Sequence, residues 1–263
     1  MRAWADRSPD IPRATGATVV TTAGTPRDAE RARRAVRILD AAGELLLSLG
    51  YGKITMEDVA RRAGVGKGTV YLHFPTKEVL FGLVVVRVQL EVGTRLIEAM
   101  RTDPAAIMPG ATARWIYLTQ HETPLVKAIL ARDPQTLGGI VETVGTTQSG
   151  LIGLRARVMQ EYFTVLRGHG LLRTDRPVEE QNYLFVSSVL GGLVAPPLLS
   201  RQSYPVPEAR VRADILGESV RRSLEEDADP DALLAARPEV LALFEGLMGW
   251  ARKALEEYLP STE

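Results

Sequence analysis

Residues Arg61 to Phe74 read R-R-A-G-V-G-K-G-T-V-Y-L-H-F, and the reading of their glycines decides the fold. Gly64, Gly66 and Gly68 around Lys67 and Thr69 have the composition of a phosphate-binding loop. A nucleotide P-loop, however, needs G-x-x-x-x-G-K-[ST] between a buried strand and a helix. Here Gly68 follows Lys67, so no hydroxyl is placed for magnesium, and Arg61 stands where the pattern has its first glycine. What precedes is not a strand. Thr55-Met-Glu-Asp58 is a capping-box pattern ahead of Val59 and Ala60, which predicts a short helix over 56–63 ended by Gly64. Only Gly64, Val65 and Gly66 separate it from the next helix, and a break that short forces a steep crossing, as in a helix-turn-helix. Ala60 is small where the helices touch, Gly64 suits a left-handed backbone, and Val65 and Val70 supply apolar contacts. On this reading the phosphates belong to DNA, with glycines letting backbone N–H groups approach and Lys67 projecting into or beside the major groove.

The pattern extends in both directions. Thr25 as N-cap, Pro26 at the first helical position and Asp28 in the capping-box place predict a first helix over 27–49. Its apolar face is Ile38, Leu39, Ala42, Leu45, Leu46 and Leu49, and Gly50 stops it. Pro75 closes the third helix, and Thr76 caps a fourth that begins at Lys77. Residues 1–24, rich in Pro, Thr, Ala and Arg without periodicity, are expected to be a disordered arm, either an unused extension or one that reaches the minor groove.

Composition agrees with a globular chain of 263 residues, 45% of them hydrophobic. With no cysteine there is neither a disulfide nor a thiolate metal site, and three scattered histidines make no metal cage. No run approaches the roughly 18 uninterrupted apolar residues of a membrane helix, and no signal-peptide core opens the chain, so a cytoplasmic protein is expected. The net charge of zero hides a division: residues 27–80 sum to +3 and those from 81 onward to −4, suggesting a small polyanion-facing module joined to a larger body.

The stretch T-M-E-D-V-A-R-R-A-G-V-G-K-G-T-V-Y-L-H-F-P-T-K-E-V-L-F, Thr55 to Phe81, resembles the DNA-binding signature of the tetracycline-repressor (TetR) family of transcriptional regulators. The combination V-x-x-G-T-V-Y-x-H-F-x-x-K-E-x-L is more specific than a helix-turn-helix pattern alone. Beyond it, only length, helicity and G-L-L-R-T-D, Gly170 to Asp175, agree. The resemblance implies that Thr55 meets a phosphate at the start of the second helix, and that Gly66, Lys67, Gly68 and Thr69 open the recognition helix in the groove. Lys67 and Thr69 are the base-edge candidates. Tyr71 and His73 match positions that meet the DNA backbone, and Lys77 matches a lysine that anchors a phosphate. Leu72 departs from the aromatic frequent at its position, implying a methyl contact to thymine instead of a hydroxyl-to-phosphate bond. Read singly, Lys67 is a solvated charge, His73 a structural histidine, and Tyr71 and Phe74 core residues.

The rest of the chain reads as helices throughout: Val79 to Met100, then breaks near Asp103-Pro104, Pro109, Asp133-Pro134 and Gly145 to Gly150, and helices over 151–168, 178–194 (ended by Pro196-Pro197), 207–226 and 231–258. The expected fold is all-α: an arm (1–24), a three-helix DNA-binding domain (25–76) and a larger helical ligand-binding and dimerisation domain (77–263). By the resemblance, Trp115, Tyr117, His121, Met159, Tyr162, Phe163 and Phe185 are candidates to line a pocket for a small, largely apolar effector; helix packing alone explains the same aromatics. Gly191-Gly192 suits close helix approach at a dimer interface or a local kink. The last helices are longer than a compact family member needs. With no cysteine nucleophile, no clustered His and acid pair, no metal spacing and no Gly-rich loop after a strand, an enzyme is not expected and neither is a cofactor. The expected protein is a homodimeric repressor of a near-palindromic DNA operator, released by its effector, or an activator built on the same module.

Overall fold

A computed structural model of the chain describes residues 26–123, 125 and 149–259. The arm, Thr25, the break at Asp133-Pro134 and most of that at Gly145 to Gly150 lie outside the described residues. The regular elements described are all helical: α1 (Pro26–Leu49), α2 (Met56–Ala63), α3 (Lys67–His73), α4 (Lys77–Thr102), α5 (Pro109–Glu122), α6 (Ser149–Gly168), α7 (Val178–Arg201), α8 (Ala209–Leu224) and α9 (Pro230–Glu256). Short 3-10 turns at Tyr51–Lys53 and Pro104–Ile107 join α1 to α2 and α4 to α5. One isolated antiparallel bridge pairs Leu172 with Glu225.

The helix ends follow from local chemistry. At α2 the Thr55 side chain accepts from the Asp58 N–H and the Asp58 carboxylate accepts from the Thr55 N–H, so the capping box is complete. Gly64 ends α2 with φ 65° and ψ 39°, and Val65 N–H then donates to Ala60 O at 3.0 Å. Thr76 caps α4 by accepting from Val79 N–H. Asp103 and Asp229 serve the Pro104 turn and α9 in the same way.

Burial divides the chain into two cores. The first gathers Ile38, Leu39, Ala42 and Leu46 of α1, Val59 and Ala60 of α2, Val70 and Phe74 from α3 and its end, and Leu80 to Val86 of α4. The second gathers Leu96 and Met100 of α4 with residues of α5 to α9. Because the first half of α4 lies in one core and its second half in the other, the physical seam falls within α4 and not ahead of Lys77. α5 crosses α8 where Gly110 faces Gly217; a Cβ on Gly110 would lie 2.6 Å from Gly217 O. The Glu225 carboxylate, just beyond α8, accepts from Gly110 N–H at 2.6 Å and so caps the start of α5, which has no side-chain cap of its own.

Two expectations are corrected. Leu49 is exposed, because the last turn of α1 outruns α2. α7 continues through Pro196 and Pro197 to Arg201. Each proline removes one i→i−4 bond but holds φ near the helical value. α7 has the length and mean hydropathy, 1.6, of a membrane-crossing helix by composition, although polar residues interrupt its apolar run. In this fold it packs on α5, α6 and α8.

Candidate nucleic-acid interface

α3 is a seven-residue helix with two unlike faces. Val70 is fully buried, and His73, 7% exposed, and Phe74 complete the inward side. Tyr71 and Leu72 point outward, 45% and 73% exposed. Leu72 and Tyr71 thus leave the outer face of α3 free of packing against the rest of the described chain. Gly66, Lys67 and Gly68 are exposed at the start of the helix and Thr69 is half-buried. Gly66 has an ordinary extended backbone (φ −71°) and Gly68 shows no positive φ, with open space where its Cβ would be. Neither glycine is required by the turn, unlike Gly64; what they do is leave the backbone uncovered.

The surrounding charges are arranged around this helix. Lys67 Nζ lies 3.4 Å from Glu57 Oε2, a solvent-exposed pair that holds the lysine loosely over the α2–α3 turn. Arg62 pairs with Glu44 of α1 and Arg61 with Asp58. The hydrogen bonds from Thr55, with Arg61 adding to them, hold the Asp58 carboxyl below its usual range. Burial, helped by the charges of Arg31 and Arg34, pushes the His73 imidazole below its usual value and keeps it neutral near pH 7.

Three predicted contacts are differently engaged. The Thr55 hydroxyl is committed to Asp58, donating to Oδ2 at 2.7 Å while accepting from its N–H. Lys77 Nζ donates to Tyr51 O at 2.8 Å and lies 4.2 Å from the centre of the Tyr51 ring, which packs edge-on against Phe81. Burial pushes the Lys77 ammonium pKa down. Its charge therefore ties α4 to the turn after α1 instead of standing free in solvent. His73, expected at the DNA backbone, is turned into the protein. Tyr51 was missed as the partner of Lys77; the only sequence signal is an aromatic in Y-G-K just ahead of the capping box.

The proposed pocket residues separate. Tyr162 and Phe163 are 0% exposed, so they border no space that would admit water, and Tyr117 and Phe185 are almost as deeply buried. Tyr162 packs edge-to-face on Phe163 and Phe244, Phe163 on Phe185, and the Tyr162 hydroxyl donates to Ile107 O at 2.7 Å. These four are packed into the second core. Trp115, His121 and Met159 are half-buried, and His121 stacks on Tyr117, whose hydroxyl accepts from Arg212 Nε at 2.5 Å. Gly192 faces inward toward Leu216 and Tyr117, whereas Gly191 faces open space. On α7, Tyr183 (76% exposed), Val186 and Leu190 are uncovered, and so are Val211 and Ile215 of α8, a helix that packs on α7.

A capped α2, a left-handed glycine turn and a short α3 with an uncovered outer face define a helix-turn-helix DNA-binding protein. Residues 38–84 match the family model described as "Bacterial regulatory proteins, tetR family". The chain is 27% identical over 194 residues, 66% of its length and 87% of the relative, to the HTH-type transcriptional activator FasR of Mycolicibacterium smegmatis. It spans only 29% to 46% of the other curated regulators it matches. Among solved structures, NalD of Pseudomonas aeruginosa, described as the secondary repressor of the MexAB-OprM multidrug efflux pump, superposes with a TM-score of 0.53 at 22% identity, covering 77% of this chain and 100% of that one. A SmeT–triclosan complex superposes with a TM-score of 0.57 at 18% identity, covering 74% and 93%; SmeT is described as a repressor from Stenotrophomonas maltophilia. Residues 38–84 thus carry the DNA-binding domain of TetR-family transcriptional regulators.

Proposed function

We propose that the protein is a homodimeric repressor that binds a near-palindromic DNA operator and leaves it when a small effector binds. The observation that carries the DNA reading is the outer face of α3, where Leu72 and Tyr71 stand uncovered beside Lys67 and two exposed glycines. Lys67 and Thr69 read base edges, Leu72 meets a thymine methyl, Tyr71 meets the backbone, and Gly66 and Gly68 let the helix sit close. Thr55 and Lys77 act indirectly, the first by fixing the start of α2 toward a phosphate and the second by fixing the start of α4. His73 serves from inside, as packing.

One α3 offers few base contacts, so two copies about one turn of DNA apart (~34 to 36 Å) are needed for specificity. The uncovered apolar strip of α7 and α8 supports a dimer with its α3 helices so paired. A protein of the same fold holds triclosan, which supports a small-molecule effector here. Since Tyr117, Tyr162, Phe163 and Phe185 are closed in, the effector enters beside Trp115, His121 and Met159 and opens the packing. It has to favour the released conformation by about 1 to 3 kcal/mol for a 5- to 150-fold loss of DNA affinity. The name of FasR, an activator, supports the opposite sign of regulation on the same module. The operator position relative to the promoter separates the two.

Fluorescence anisotropy with a labelled fragment upstream of the protein's own gene, across a salt series, tests the reading. Specific, saturable binding that weakens steeply with salt is expected, with Lys67→Ala binding more weakly. Absence of binding to any DNA overturns it.

A further inference from the structure

The first half of α9 belongs to the second core through Ala236, Val240 and Phe244, but its last turns do not. Ala251 and Leu255 are buried in the first core, and Tyr258 and Leu259 pack against it. α4 sets the path. Arg101 of α4 meets Glu245 at 2.7 Å, and Gly93, eight positions earlier, faces Met248 with no room for a Cβ. α9 thus runs antiparallel to α4, back to where α4 begins. There the Tyr258 ring stacks on Phe74, centres 6.2 Å apart and planes 9° from parallel. Phe74 is the C-cap of α3, fully buried, with its N–H on Val70 O at 2.8 Å.

A helix of seven residues is marginal by itself, so its orientation is set by what its inward side chains touch. One side of Phe74 is held by the core of α1, α2 and α4, and another by a residue near the far end of the chain. We propose that Tyr258 is a positioning residue for DNA recognition: stacked on Phe74, the end of α9 fixes the direction in which α3 presents Lys67, Tyr71 and Leu72. This rests on the reading of α3 as the DNA-contacting helix. It also assigns a task to the long last helix.

Tyr258→Ala and Tyr258→Phe in the full chain test it, by specific DNA affinity and by hydrogen exchange without DNA. Tyr258→Ala is expected to weaken specific binding about tenfold at an unchanged salt slope, because no phosphate contact is lost. It should also speed exchange of the Val70 to Phe74 amides while α2 keeps its protection. Tyr258→Phe, which keeps the ring, is expected to stay within about twofold of the wild type by the tenfold-per-1.4 kcal/mol scale. Wild-type affinity and wild-type α3 exchange in Tyr258→Ala overturn the proposal, as does a Tyr258→Phe variant as defective as Tyr258→Ala. Should the wild type bind no DNA, the functional reading fails, and the exchange measurement still decides whether Tyr258 holds α3.

Discussion

Gly64 and Gly68 stand four residues apart and carry opposite constraints. Gly64 sits at φ 65°, so Gly64→Ala is expected to cost about 1–2 kcal/mol in urea unfolding, although nothing crowds its Cβ. Gly68 lies in ordinary helix with open space around it, so Gly68→Ala is expected to stabilise the fold by about 0.5–1 kcal/mol and yet weaken DNA binding, since the methyl enters the groove side. A loss of stability there would remove glycine as the means of close approach. His73 gives a pH signature. Its folded-state pKa is lowered from 6.5, so its neutral form contributes stability that is present above pH 6.5 and lost as pH falls through the lowered value. The slope of stability against pH below 6.5 is expected to shrink in His73→Leu, whatever that variant's absolute stability. At this scale the capping box, Gly64 and the Thr76 cap were legible in the sequence, because each is made by residues within four positions of one another. The inward turn of His73 and the engagement of Lys77 by Tyr51 were not, since the partners lie on other elements.

At the scale of elements, α5 and α8 approach closely because glycines face each other at the crossing. A Cβ on Gly217 would lie 2.9 Å from Gly110 O and 3.0 Å from Arg114 Cβ, atoms of backbone and stem that cannot swing aside. Gly217→Ala is therefore expected to destabilise by about 1–3 kcal/mol in thermal or urea unfolding, despite alanine's better helix propensity. Gly246→Ala in α9, with nothing near its Cβ, is expected to stabilise slightly and serves as the control. Helix positions were readable from apolar periodicity, and the bounds of α2 and the start of α4 agree with their caps. The end of α7 was not, because Pro196-Pro197 is a stop signal only where nothing else holds the helix. Here packing of its middle on α5, α6 and α8 carries it on.

For the whole molecule, the proposed dimer is what would give the uncovered apolar residues of α7 and α8 a task in DNA specificity. Leu190→Glu or Ile215→Glu places a charge among them without touching either core. Each is expected to shift the protein to monomer in sedimentation and to lower specific DNA affinity far more than non-specific binding. A dimer that survives both changes places the interface elsewhere. The apolar residues of 183–190 were visible as helical, but which of them are covered was decided by packing: Phe185 and Val189 are covered, Tyr183, Val186 and Leu190 are not. By itself the sequence determined the all-α class, the helix-turn-helix and its family, because caps, turns and period are local and strong. Only the tertiary structure decided that Tyr162, Phe163 and Phe185 pack in one core, that α4 belongs to both cores, and that the turn after α9 lies on the end of α3. Those outcomes depend on contacts between residues far apart in the chain, which no local pattern encodes.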